Sequence, residues 1–283
     1  TNKGDIRLFL WEKKASPKVP HAGTILLVHG SSMASQPTFD LQVPGRPYSS
    51  AMEWFRDRGF DTWTMDNEGY GRSDKHRDIN FDISNGADDL AAGSAYILAQ
   101  TKAPSLLVYG ISSGALKAAL FAERHPERVA RVVAVDVGDH NSKALLREWG
   151  AKEKLSVMGY QLWLALAWKL SGSLGTRMTR AMARWLRCPS DAGRITHKMN
   201  YPYAMQWFGT AGGLKHAAPV QLPMPLLFVF GERKPFMFHS AKWLEKVSAQ
   251  PGSAVQGLPC GHWVMISRPE AFHARVREWL WGV

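Results

Sequence analysis

The chain has 283 residues, 45% of them hydrophobic and 11% aromatic, enough to bury a substantial core and to exclude disorder. Its 35 Lys and Arg stand against 24 acidic residues, and the net charge of +11 favours anionic surfaces, substrates or polymers without choosing among them. Cys188 and Cys260 are too few for a disulfide framework and match no zinc spacing, no charged-then-apolar leader opens the chain, and no apolar run reaches bilayer length; the composition therefore predicts a soluble, cytoplasmic protein without metal or other cofactor.

Residues 24–28, Thr-Ile-Leu-Leu-Val, are apolar and β-branched and close on His29-Gly30; they predict a buried strand of a parallel sheet, followed by a turn. Residues 50–57 have helical spacing that stops at Gly59, 60–65 read as a short strand, and 66–73, Asp-Asn-Glu-Gly-Tyr-Gly-Arg-Ser, as a turn-rich loop. A helix is expected over 85–100, then a buried strand at 105–109, the segment Gly110-Ile-Ser-Ser-Gly114, a helix over 115–125 and a strand over 129–135. Strands alternating with helices predict an α/β fold, a mostly parallel central sheet flanked by helices on both faces.

That rhythm stops over 141–220, which holds several helical patterns, 157–170 among them, and no clear buried strand. The interval is expected to be a helical cap inserted into one core domain formed by residues 1–140 and 221–283. The strand pattern resumes at 226–230, and a helix over 240–250, a strand over 253–258 and a closing helix over 269–281 complete the chain.

Gly110-Ile-Ser112-Ser113-Gly114 matches G-x-S-x-G with a strand before it and a helix after it. The chemistry behind that spacing is a sharp, strained turn that presents Ser112 Oγ at the sheet edge, flanked by glycines because side chains would clash there. A Gly/Ser loop arising by chance is the plainer reading, and the strand-to-helix context disfavours it. The start of the following helix adds positive potential and an unused N–H at Ser113.

On these residues the sequence resembles the α/β hydrolase family over nearly its whole length, which implies the α/β hydrolase fold with an inserted cap. The resemblance implies an oxyanion loop at His29-Gly30-Ser31, the N–H of Ser31 joining that of Ser113, with each such donor worth on the order of 3 kcal/mol in the transition state. It also implies a chiefly structural role for 66–73, which is similar to the family's D-x-x-G-x-G-x-S loop. The general base falls at His262, in Cys260-Gly-His-Trp263 between the last strand and the closing helix. A lone histidine is more often core or surface, but this order and context favour the catalytic reading. His29 and His140 are expected near the site.

In most members the acid follows the strand equivalent to 226–230, where this chain reads Phe230-Gly-Glu-Arg-Lys234-Pro-Phe236, with a lysine in the acid's place. A lysine cannot stabilise an imidazolium. Some members, including haloalkane dehalogenases and certain lipases, carry the acid after the preceding strand, and Asp136 ends that strand here, 24 residues after Ser112. Asp136 is thus the expected acid, with Asp139 and Glu232 as alternatives; its plainer reading is a cap at a strand end. A dyad or a degenerate site is the remaining alternative.

Dehalogenases and epoxide hydrolases of this fold use a carboxylate nucleophile, so Ser112 favours acyl transfer. The expectation is a serine hydrolase that cleaves a carboxylic ester with a hydrophobic or aromatic moiety through an acyl-enzyme. A carbon–carbon bond hydrolase or lyase, a lactonase, an amidase and a non-catalytic binding protein are the alternatives on the same scaffold. Tyr160, Trp163, Met199, Tyr203 and Trp207, with His140, are the candidate substrate contacts. The plainer role for any one of these aromatic residues is to hold cap helices together. Residues 141–220 carry twelve Lys or Arg against three acidic residues, +9 of the total, and Arg177, Arg180, Arg184 and Arg187 share one helical face. That face reads first as a solvated surface, and second as a guide for an anionic substrate or a weak contact with an anionic membrane. No nucleic-acid partner is expected.

Overall fold

A computed structural model of the chain describes residues 1–30, 33–75, 83–136, 222–234, 237 and 239–282. The expected cap at 141–220 lies outside the described residues. A short antiparallel pair, β1 (Asn2–Lys3) and β2 (Ile6–Arg7), opens the chain. The main sheet comprises β3 (Leu10–Lys13), β4 (Gly23–Val28), β5 (Phe60–Met65), β6 (Leu106–Ile111), β7 (Val129–Val135), β8 (Leu226–Gly231) and β9 (Ala254–Leu258). These seven strands lie in the order β3-β5-β4-β6-β7-β8-β9, with β3 antiparallel to β5 and every other pair parallel.

Because side chains alternate along a strand, a continuous apolar run supplies both faces of a sheet covered on both sides. In β4, Leu26 and Val28 join one buried cluster and Ile25 and Leu27 the other; in β6, Leu106 and Val108 oppose Leu107, Tyr109 and Ile111 in the same way. The first cluster packs under α3 (Ile83–Thr101), α4 (Ser113–Arg124) and α5 (Ala241–Ala249). The second packs under α1 (Ser35–Phe39), α2 (Ala51–Arg56), α6 (Val264–Ser267) and α7 (Pro269–Trp281).

Local chemistry sets several helix ends. Ser50 caps α2 by accepting from the Glu53 N–H at 3.1 Å, and Ser240 caps α5 by accepting from the Trp243 N–H at 3.2 Å. Gly282, with φ of 72°, stops α7 in the left-handed region.

The chain leaves β4 for β5 on one side and returns to β6 on the other, so the connections diverge at the C-terminal ends of β4 and β6. Crevices at such switch points are where open α/β sheets bind ligands. Among the described residues no helix is long and apolar enough to cross a membrane.

Candidate active site

Ser112 occupies the turn between β6 and α4, at φ 56° and ψ −131°. A non-glycine residue rarely adopts positive φ, and neighbouring structure must impose it. Here the Ser112 N–H donates to Val135 O at 2.9 Å, and Ser112 O accepts from the Ala115 N–H at 2.9 Å. The flanking glycines are required sterically: a Cβ at Gly110 would lie 2.3 Å from Gly114 O, and one at Gly114 would lie 2.2 Å from Val28 O. Gly30 approaches the elbow from β4, and a Cβ there would lie 3.2 Å from Ser112 Cβ. The sequence-expected nucleophile therefore sits at the switch point, against the turn that follows β4.

Ser113 opens α4, where the first-turn N–H groups have no acceptor within the helix. The other expected oxyanion donor, Ser31, lies outside the described residues. So do His140, Asp139, Tyr160, Trp163, Met199, Tyr203 and Trp207.

Asp136 follows β7 at φ 71° and is fully buried. Its N–H donates to Val229 O at 2.9 Å, which pins the turn to β8. The carboxylate is then divided: Oδ1 accepts from the Gly231 N–H at 3.0 Å and from Lys234 Nζ at 2.5 Å, and Oδ2 pairs with His262 Nδ1. His262 remains about a third exposed. With Nδ1 engaged, Nε2 is the ring nitrogen left for proton transfer.

The loops after β8 and β9 are laced together by the Glu232 N–H donating to Leu258 O and the Arg233 N–H to Cys260 O, both at 2.9 Å. Gly231 permits that approach, since a Cβ there would lie 2.1 Å from Gly261 O. Glu232 is exposed, and its carboxyl lies against β9 where a Cβ on Gly257 would stand. Of the two described carboxylates considered for the acid, the structure brings Asp136 to His262, and Glu232 faces β9. Lys234, conspicuous in the sequence because an acid is expected there, is an ion-pair partner of Asp136. Burial draws its ammonium below the usual lysine range, and the Asp136 charge opposes that shift.

His29 does not line the crevice. It is fully buried, its Nε2 accepts from the Asn67 N–H at 3.0 Å, and its Nδ1–H therefore donates to Gly30 O at 2.7 Å. Burial first, and Lys117 second, hold the imidazole well below the usual histidine range, so the ring is a neutral brace for the turn after β4. The 66–73 loop is likewise bonded inward: Asp66 Oδ1 accepts from the Ser35 N–H at 2.9 Å and Ser35 Oγ at 2.6 Å, and Oδ2 from the Arg72 N–H at 2.9 Å.

Sequence reasoning missed a buried polar network beneath this turn. Lys117 of α4 is fully buried and donates to His29 O at 3.2 Å and Asn67 Oδ1 at 2.9 Å. Asp89 of α3 accepts from Asn67 Nδ2 at 3.2 Å and the Glu68 N–H at 2.8 Å, and Lys3 of β1 pairs with it. A local signal existed in Gly86, inside α3, where a Cβ would lie 2.4 Å from Lys117 Cδ. Glycine within a helix is costly enough to mark a close approach.

A family model described as alpha/beta hydrolase fold matches residues 23–269. No curated protein matches the chain. Among solved structures, a thermophilic esterase from Thermogutta terrifontis is similar at 17% identity and a TM-score of 0.58, covering 97% of this chain and 93% of that one. An epoxide hydrolase from Bacillus megaterium aligns at 17% identity and a TM-score of 0.64, with 97% of each chain covered. Est816, an N-acyl homoserine lactone degrading enzyme, aligns at 18% identity and a TM-score of 0.60, with 98% of each chain covered.

Proposed function

The chain belongs to the α/β hydrolase family, and from that premise we propose that it is a serine hydrolase cleaving a carboxylic ester with a hydrophobic or aromatic moiety. The observation that carries this reading is that a serine in a strained strand-to-helix turn after β6 and a bonded His262–Asp136 pair after β9 and β7 lie at the C-terminal ends of strands of one sheet. Ser112 Oγ attacks the carbonyl carbon as Nε2 of His262 takes its proton, and Asp136 holds the imidazolium that forms. The Ser113 N–H, with that of Ser31, donates to the oxyanion of the tetrahedral intermediate. Collapse expels the alkoxide, which His262 protonates, and leaves an acyl-enzyme. Water, deprotonated by His262, then attacks the acyl carbon and releases the carboxylic acid and Ser112.

A serine nucleophile separates this reading from epoxide opening, in which a carboxylate attacks carbon. The Lys234–Asp136 ion pair weakens the case for a non-catalytic binding protein, because the lysine does not stand in for the acid: Oδ2 of Asp136 still meets His262. The hydrophobic or aromatic preference rests on the aromatic residues of 141–220, and their basic surplus suits an anionic substrate group.

The direct test is labelling with a small fluorophosphonate, followed by peptide mass spectrometry and a screen of p-nitrophenyl esters of increasing acyl size. Modification confined to Ser112, with turnover abolished in Ser112→Ala, is the expected result. A folded protein that is neither labelled nor active on any ester would reject the proposal.

A further inference from the structure

Lys234 is the feature of the site that the hydrolytic mechanism does not use. It is nearly buried, and its ammonium lies 2.5 Å from the oxygen of Asp136 that His262 does not touch. A carboxylate beside an imidazole raises the ring's basicity, and a cation on that carboxylate's other oxygen offsets part of this field. The backbone gives the same oxygen a neutral donor in the Gly231 N–H. The lysine therefore supplies something that hydrogen bonding alone does not.

We propose that Lys234 is a positioning residue that holds Asp136 through Oδ1 and, by its charge, offsets part of the carboxylate's field at His262. This inference rests on the serine-hydrolase reading for its catalytic consequence, though not for its electrostatic content. Among the described residues, the charged or titratable groups on the loops that meet here are Asp136 after β7, Glu232, Arg233 and Lys234 after β8, and Cys260 and His262 after β9. Arg268, before α7, adds a positive charge that acts on Cys260. Burial and the Asp136 charge push the Cys260 thiol up, which leaves it neutral, and Glu232 is exposed. Among the described residues, Lys234 is thus the cation in direct contact with the carboxylate that His262 uses.

The experiment titrates His262 by NMR of its imidazole, assigned through His262→Asn, in wild type, Lys234→Met and Lys234→Gln. In parallel, kcat/KM on a p-nitrophenyl ester is followed against pH. Loss of the charge in either variant is expected to move the acid limb of the profile, and the imidazole titration with it, to higher pH. Gln retains a donor for Oδ1 without the charge, so equal shifts in both variants identify charge as the cause. It also serves if Lys234→Met does not fold. An imidazole titration unchanged in both variants would overturn the proposal, as would a shift in Met that Gln restores. If wild type proves inactive on every ester, the hydrolase reading fails while the imidazole titration still decides what Lys234 does to the pair.

Discussion

Asp136 and His262, 126 residues apart in the chain, meet through Oδ2 and Nδ1 at the ends of strands that are not neighbours in the sheet. The intervening strand β8 makes the meeting possible. Its Val229 carbonyl accepts from the Asp136 N–H, and its Gly231 N–H donates to Oδ1, so the carboxylate is held from one side and presented on the other.

Replacing that carboxylate should cost chemistry rather than fold. Asp136→Asn removes the charge that stabilises the imidazolium and permits the wrong tautomer, and kcat on an activated ester is expected to fall by about ten-thousand-fold. Glu232→Gln, at an exposed carboxyl turned towards Gly257, is expected to stay within about twofold of wild type. A silent Asp136→Asn with an inactive Glu232→Gln would move the acid to β8.

The elbow makes a steric prediction. Gly114→Ala would place a methyl 2.2 Å from Val28 O and 2.6 Å from His29 O, both backbone atoms that cannot turn aside. A loss of at least about 2 kcal/mol in urea denaturation is expected. Gly69→Ala is the contrast: beyond its chain neighbours, no atom of the described residues lies within 4 Å of the added Cβ, and its cost comes from φ of 84°. Equal losses at the two sites would contradict the packing argument.

Much of this site was legible because it is written locally. Apolar runs, interrupted in β7 only by Arg131, marked β4, β6, β7 and β8, and the two glycines around Ser112 marked the elbow. Asp136 stood out because it ends a strand. What escaped depends on partners distant in sequence. Lys234 read as the absence of an acid because nothing near it reveals a carboxylate 98 residues away. His29 was expected near the site, yet Asn67, 38 residues on, turns its ring inward. The edge strand β3, Leu-Trp-Glu-Lys, is four residues of mixed character, too short for a periodic signal, and only its pairing with β5 defines it.

The Lys117 network predicts alkaline stabilisation. Burial pulls the lysine from 10.5 down to about 7 in the folded protein, with Asp89 opposing the shift. Between those values the unfolded chain carries a proton that the native state lacks, so stability attributable to this group rises with pH, by up to about 1.4 kcal/mol per unit. Below about pH 7 the native state must bury the charge and that gain is gone. Urea midpoints at pH 7 and pH 9.5 should therefore show wild type gaining on Lys117→Met as pH rises. A constant difference between the two proteins would show that Lys117 does not titrate in this range.

His273 predicts the acid side. The ring is almost completely buried in α7, stacked on Trp54 at 4.4 Å and 13° and met edge-on by Tyr48. Neither ring nitrogen has a hydrogen-bond partner among the described residues. Burial, with Arg58 adding to it, lowers its pKa from 6.5 to about 3. Because the folded value is the lower one, protons bind the unfolded chain first, and the stability contributed by the neutral ring is full above pH 6.5 and lost progressively as pH falls towards 3. Phenylalanine keeps the stack, has no nitrogen to desolvate and does not titrate. His273→Phe is therefore expected to match or exceed wild-type stability at pH 7 and to move the acid unfolding midpoint to lower pH. Parallel acid unfolding of the two proteins would mean that the ring is already protonated, or solvated, in the native state.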